Sequence, residues 1–339
     1  MKILKTVNNV PGGLMVVPLF LGMVLNTFFP DLLRIGGFTQ ALTGVGYPTV
    51  LGMYLFTVGT KMTFRAAPRM LLRGGGILFA KVGTATLFAL AVANYFGGSV
   101  LGLSTLAVMV AMSDTNGGMF MALTSVMGSK EDSGTYVAQS IETGPFLTML
   151  IFVGVGLAEI PWLVMVSVIA PIFAGAILGN LDDDIKEFFG SHEPIIIPFM
   201  AFTLGQTINL RSVLTAGAPG IILGITVVIV TGFVCILADK LLGGSGIAGA
   251  AASSTAGNSA AVPKAVAMAD PTYLPVAEAA TVQVAASVIV TAILTPLLTT
   301  WQYRRVLREE ARKAALGVPH VPVVEPDPTA SPKREADLA

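Results

Sequence analysis

About ten stretches of this chain, each apolar over roughly 20 residues, follow one another with short connections, and a helix of that length crosses about 30 Å of hydrocarbon. No water reaches backbone amides and carbonyls at that depth, so a spanning segment must be a helix or a strand of a closed barrel. Barrel strands alternate apolar and polar residues, and stretches such as 220–238 do not. The fold class expected is therefore an all-α polytopic membrane protein. Composition agrees: 54% of the 339 residues are apolar, 12% are charged and the mean hydropathy is +0.78, against about 25% charged residues in a soluble domain.

The expected spans are 13–29, 41–60, 74–96, 101–127 and 133–157, then 162–180, 193–210, 216–242, 246–268 and 275–302. Lys2 and Lys5 precede the first, as in a signal peptide, but no small-x-small cleavage site follows, and it reads as a retained helix. Lys61, Arg65, Arg69, Arg73, Lys130, Lys186 and Lys240 fall in connections on one side, joined by Arg304, Arg305, Arg308, Arg312 and Lys313 after the last span. The other side has little beyond Arg34 and Arg211, so the positive-inside rule puts both termini in the cytoplasm. Residues 306–339 are expected to form a cytoplasmic tail, too poor in apolar surface from about Gly317 onward to order itself. Cys235 is the single cysteine and permits no intrachain disulfide. A net charge of zero argues against a nucleic-acid partner.

Segments of the two halves match in order. VPLFLGMVL from Val17 corresponds to APIFAGAIL from Ala170, LFTVGTKMTFR ending at Arg65 to AFTLGQTINLR ending at Arg211, and SDTNGG from Ser113 to SSTAGN from Ser253. Five spans is an odd number. Two copies of one fold, at 1–157 and 158–305, must therefore lie upside down relative to each other, as in the inverted repeats of secondary transporters.

The fourth expected span is apolar to Met112 and then reads Ser113, Asp114, Thr115, Asn116, Gly117, Gly118; the ninth reads Ser253, Ser254, Thr255, Ala256, Gly257, Asn258. Each glycine costs a helix about 1 kcal/mol, and the neighbouring polar side chains offer partners for freed backbone groups, so both helices should break here. Irregular backbone at membrane depth is tolerated only where it is covered by protein or lines a cavity. Each break exposes the positive end of a second half-helix, beginning near Gly117 and Gly257, which favours a carboxylate, while the carbonyl ends favour a cation. Close packing through small residues such as Gly249 and Ala250–Ala252 would explain the second break equally well.

Asp114 and Glu142 lie deep within apolar spans, with Gln139 three residues before Glu142 on the same helical face. A buried carboxylate costs roughly 2.5 to 3.5 kcal/mol on insertion scales and usually marks a pathway, so both are candidates for loading and releasing a proton. A structural hydrogen bond between spans is the plainer alternative. Lys81, early in the third span, reads as snorkelling to the cytoplasmic surface, with a charge partner for a carboxylate as the alternative. Gln206 and Asn209 could meet sugar hydroxyls or cap a helix end. Asp182, Asp183 and Asp184 fit the N-terminus of a short interfacial helix better than a metal site. His192 and His320 have no ligand-spaced companions, and no P-loop, dinucleotide fingerprint or nucleophile elbow is present, so neither a metal, a cofactor nor an enzyme activity is expected.

PGGLMVVPLFLG near the start, GLSTLAVMVAMSDTNGG, SIETGP, LGNLDDDIKEFF, IPFMAFTLGQTINL and GIAGAAASSTAG occur in this order, and over about 8–305 the chain resembles the 2-keto-3-deoxygluconate permease family of bacterial sugar-acid transporters. That resemblance implies import of 2-keto-3-deoxygluconate across the inner membrane by proton symport. It also implies the fold shared with bile-acid and sodium–proton transporters, in which spans 1, 2, 6 and 7 form a panel and the rest a core. The expected site then holds substrate at Asn116, Gly117, Gly118, Ser253, Ser254, Thr255, Gly257, Asn258 and Gln206, and the coupling ion at Asp114, Thr115, Glu142 and Gln139. Sodium is the alternative ion, since carboxylate, hydroxyl and carbonyl oxygens suit a hard cation. A membrane subunit of a sodium-pumping decarboxylase is the reading from another class. Apart from substrate and lipid bilayer, a homodimer is the one partnership left open.

Overall fold

The structure, a computed structural model, describes residues 2–8, 13–62, 68–206 and 210–315. Nearly all of it is helix. The first half contains α1 (Ile3–Asn8), α2 (Gly13–Phe28), α3 (Gly37–Gln40), α4 (Tyr47–Lys61), α5 (Pro68–Tyr95), α6 (Thr105–Ser113), α7 (Gly117–Met127), α8 (Lys130–Gly134), α9 (Tyr136–Gln139) and α10 (Pro145–Gly154). The second contains α11 (Trp162–Leu181), α12 (Asp183–Gly205), α13 (Leu210–Thr226), α14 (Gly232–Leu241), α15 (Ile247–Ala251), α16 (Val262–Ala269) and α17 (Leu274–Ala315). Among the described residues, five helical segments, including α5, α11 and most of α17, are long and apolar enough to cross a membrane, or up to 7 if each bent pair is one span. The protein is a polytopic helical membrane protein.

Several boundaries differ from expectation for identifiable reasons. α5 begins at Pro68, where proline suits the first helical turn, and runs on through Gly74–Gly76. Arg69 and Arg73 are thus helical rather than in a connection, and Arg73 is buried between Asp132 and Asp239. The acidic stretch does cap a helix: Asp182 accepts from the amides of Asp184 and Ile185. That helix is not a short interfacial one, however, since α12 continues to Gly205. The fifth span is broken as well. A 3-10 turn at Ser140–Glu142 leads to Gly144 at φ 92° and then Pro145, with a bend of 63°. α17 extends to Ala315, so the first residues of the expected tail are helical, and those beyond 315 lie outside the described residues.

The helices pack in two sets. α4 lies along α11 and α12, and α12 along α2; in the other set α5 lies on α6, α9 and α14, α13 on α17, and α15 on α14 and α17. α6, TLAVMVAMS, is apolar almost all round and is buried all round, as such a helix must be.

Glycines set the crossings of the first set. A Cβ on Gly205 would stand 2.2 Å from the Leu19 carbonyl oxygen, and one on Gly22 2.5 Å from that of Phe202. A Cβ on Gly59 would stand 2.2 Å from the Ile172 oxygen, and one on Gly175 2.1 Å from that of Phe56. Backbone therefore meets backbone where α2 crosses α12 and where α4 crosses α11, as small residues permit inside a bilayer. Gly205→Val should cost at least about 1–3 kcal/mol through overpacking and lower the melting temperature in detergent. Gly52→Val, on the same set of helices but with nothing within 4 Å of its added Cβ, should leave that melting temperature nearly unchanged.

Candidate functional site

α6 stops at Ser113 and α7 resumes at Gly117; α15 stops at Ala251 and the chain resumes as a 3-10 turn, Gly257–Ala261, before α16. The two interruptions lie against each other. The amide of Asn116 donates to Ser254 Oγ at 3.0 Å, and Thr255 Oγ1 donates to the Ala111 carbonyl at 2.8 Å. The amide of Thr115 donates to Glu142 Oε1 at 2.7 Å, while that of Thr255 donates to Thr291 Oγ1 at 3.1 Å. Each break is thus held by a side chain from the span that follows it. Thr295 Oγ1 donates to the Ser253 carbonyl, and Ser253 Oγ to that of Ala250, both at 2.7 Å.

Lys81 completes this set. Its Nζ donates to Thr115 Oγ1 and to the carbonyls of Ala252 and Ser254, each at 2.8 Å. An ammonium has three donors, and all three are used. The expectation that Lys81 snorkels to the surface is therefore corrected: it is fully buried. The early start of α5 is the cause, because it puts Lys81 at the middle of the helix rather than near one end. Pro68 was the available signal, and the Gly74–Gly76 run concealed it.

Two carboxylates lie beside this lysine and interact electrostatically with it. Asp114 ends α6, and its Oδ2 accepts from Ser259 Oγ at 2.7 Å and from Asn258 Nδ2 at 3.4 Å. Asp114 Oδ1 and Glu142 Oε2 are buried without a hydrogen-bond partner. The site therefore sets two carboxyl groups against one ammonium and leaves one oxygen unbonded on each carboxyl.

The other expected site residues separate into two kinds. Asn116 caps α7, accepting from the Met119 amide at 3.0 Å; it is half-buried with Gly117, Gly257 and Asn258, and Gly118 is exposed. These line the accessible part. Ser253, Ser254 and Thr255, expected to meet substrate hydroxyls, are fully buried and hold the crossing together. Gln139 is buried and donates to Thr135 Oγ1 at 3.3 Å rather than to Glu142, whose Oε1 accepts from the Thr115 amide. Gln206 belongs to the α2–α12 crossing, donating to the Gly22 carbonyl at 3.0 Å. Asn209 lies outside the described residues. One contact had no signal in the sequence: the buried Tyr47 of α4 donates its hydroxyl to the Ala261 carbonyl at 2.6 Å, across 214 residues.

Residues 4–308 match the family described as 2-keto-3-deoxygluconate permease. The chain belongs to that family. It is 47% identical over 317 residues to 2-keto-3-deoxygluconate permease 1 of Salmonella typhimurium (strain LT2), covering 93% of this chain and 99% of that protein. The 2-keto-3-deoxygluconate permease of Bacillus subtilis (strain 168) is 43% identical over 320 residues, 92% of this chain and 97% of its own. That of Enterobacter sp. (strain 638) is 42% identical over 313 residues, 90% of this chain and 94% of its own. The resemblance drawn from sequence segments is borne out. The protein is a permease, a multi-pass membrane transporter and not an enzyme, and the decarboxylase-subunit reading lapses.

For this permease, Lys81→Met should leave the Ser254 carbonyl buried without a donor and cost about 1–3 kcal/mol for that group alone. Lys81→Gln keeps an N–H donor and should lose less. Thermal melting of the purified variants in detergent gives the order; a Lys81→Met protein as stable as the parent would remove Lys81 from its role in holding the breaks.

Proposed function

We propose that the chain imports 2-keto-3-deoxygluconate by proton symport at the crossing of the broken helices. The observation that carries this is the burial of two carboxyls, Asp114 and Glu142, within electrostatic reach of one buried ammonium, Lys81, with Asp114 Oδ1 and Glu142 Oε2 unbonded. With all three groups ionised the cluster has an excess negative charge, and burying such a charge unpaired is costly. One proton shared between Asp114 and Glu142 removes the excess, so these two residues carry the coupling ion. Thr115 serves as its backbone anchor through the amide that holds Glu142.

The substrate is an anion with hydroxyl groups. Its carboxylate fits the first turn of α7, where Asn116, Gly117 and Gly118 are accessible and the helix end is positive. Gly257 and Asn258, half-buried beside them, serve its hydroxyls. Ser253, Ser254 and Thr255 support the site from behind, and Gln206 and Gln139 play no direct part. The two packing sets act as panel and core, with alternating access arising from movement of one against the other. Supporting the inverted repeat, the glycine contacts come in matched pairs: Gly22 with Phe202 repeats as Gly175 with Phe56, and Gly205 with Leu19 as Gly59 with Ile172. On this reading the ten spans form two inverted five-span units, at 1–157 and 158–305, in the bacterial inner membrane with both termini cytoplasmic.

Sodium is the competing ion, favoured by the same free carboxylate oxygens. Against it, the carbonyl oxygens at the end of α15, which a hard cation would use, are already held by Lys81.

Uptake of labelled 2-keto-3-deoxygluconate into proteoliposomes of the purified protein should be driven by an imposed pH gradient, acid outside, and be unchanged when sodium is replaced by potassium. Asp114→Asn should abolish accumulation against a gradient, a loss of at least about tenfold, while the protein remains folded. Undiminished pH-driven uptake by that variant would sink the assignment of Asp114, and uptake that requires sodium would sink the choice of ion.

A further inference from the structure

When the chain is aligned on the matched segments at Ser113 and Ser253, the half-helices that follow the two breaks can be set position against position, and only one is covered. On α7, Gly118, Met121, Ala122 and Val126 lie on one face and are exposed. Their counterparts after the second break, Asn258, Ala261, Val262 and Val266, are half-buried in the first case and buried in the rest. The panel supplies part of the covering: the turn Gly257–Ala261 packs on α2 and α12 as well as on α17, while α16 beyond it packs on α17, α10 and α6. In that covered interface stands the hydrogen bond from Tyr47 to the Ala261 carbonyl.

Position makes this bond more than a packing detail. Ala261 closes the turn whose Ser259 and Asn258 donate to Asp114. A carbonyl at the end of a 3-10 turn accepts the phenol of a residue in the opposite packing set. Tyr47 therefore holds, across the boundary between the sets, the segment that presents donors to the coupling carboxylate. A buried tyrosine hydroxyl needs a partner, so the bond is kept as long as the interface stays closed.

We propose that Tyr47 is the panel's positioning residue for the site: it latches the turn Gly257–Ala261, so that in this structure the site is shut on the α16 side and open on the α7 side. The opposite opening requires the Tyr47–Ala261 bond to break. The proposal rests on the transport reading above, but its test needs neither substrate nor ion.

Ala122→Cys and Val262→Cys, repeat counterparts on the open and the covered face, would be made singly in the full chain, each with and without Tyr47→Phe. The purified proteins in lipid nanodiscs would be reacted with a small membrane-impermeant maleimide, and the parent, whose Cys235 is buried, supplies the blank. With Tyr47 intact, Ala122→Cys should react much faster than Val262→Cys. Tyr47→Phe keeps the ring and removes one neutral hydrogen bond, so the rate at Val262→Cys should rise about fivefold while that at Ala122→Cys does not rise. Equal increases at both positions would mean general loosening and would overturn the latch, as would no change at Val262→Cys. Faster reaction of Val262→Cys than of Ala122→Cys in the Tyr47 background would overturn the assignment of the open side without any use of Tyr47→Phe. Failure of pH-driven uptake would leave these rates as they are, so the two proposals fail separately.

Discussion

The Lys81 ammonium, placed among the freed carbonyls of a broken helix, is the interaction on which the site depends. Each backbone group left unsatisfied at membrane depth costs several kcal/mol, and after α15 the carbonyls of Ser253 and Ser254 accept from no backbone amide, while that of Ala252 accepts from the Ser254 amide at 2.8 Å. Lys81 donates to the carbonyls of Ala252 and Ser254 and to the hydroxyl of Thr115, which belongs to the other break. Burying a lysine costs roughly 2.5 to 3.5 kcal/mol on insertion scales, offset in part by the donor it supplies to the otherwise unpartnered Ser254 carbonyl. One side chain thereby ties three spans together, and α5 must run unbroken past mid-membrane to deliver it.

The breaks themselves were legible because Ser113–Gly118 and Ser253–Asn258 put hydrogen-bonding side chains and glycine inside apolar runs, where no continuous helix benefits from them. The start of α7 followed from the same residues, since Asn116 is a good cap for a helix opening with Gly117. Lys81 was misplaced because local and tertiary signals conflict in α5. Gly74–Gly76 and the nearby arginines look like a membrane boundary, and what allows the helix to contain them is Arg73's pairing with Asp132 and Asp239, 59 and 166 residues away. The depth of Glu142 was legible, whereas its partner, the Thr115 amide, was not. Thr143-Gly144-Pro145 does signal a break, but the apolar residues on both sides outweighed it. For Ser253, Ser254 and Thr255 the chemistry is degenerate: a hydroxyl that can bind a sugar can equally bind a backbone carbonyl, and only packing decides between them.

The set formed by α2, α4, α11 and α12 was harder to read than the other for a related reason. Its crossings depend on glycines whose role is to be absent as side chains, at Gly22, Gly59, Gly175 and Gly205. Within a glycine-rich chain such positions carry no local distinction. They emerge only when the repeated segments are set against each other, where the same backbone-to-backbone contact appears twice.

On the proposed function, a nearly symmetric scaffold carries an asymmetric charge. Where the first break has Asp114 the second has Ser254, and where Glu142 receives the Thr115 amide, Thr291 receives that of Thr255. Coupling chemistry is thus confined to one half, next to the helix end that fits the substrate carboxylate. Two unit charges about 7 Å apart at an effective dielectric constant of about 20 interact by roughly 2 kcal/mol, more than a tenfold change in affinity. An anion entering the site is repelled by any uncompensated carboxylate there, and a proton on Asp114 or Glu142 removes that repulsion. Linkage makes the effect reciprocal, so the bound anion holds the proton as firmly as the proton favours the anion. Symport then follows from charge alone, without requiring the two ligands to touch.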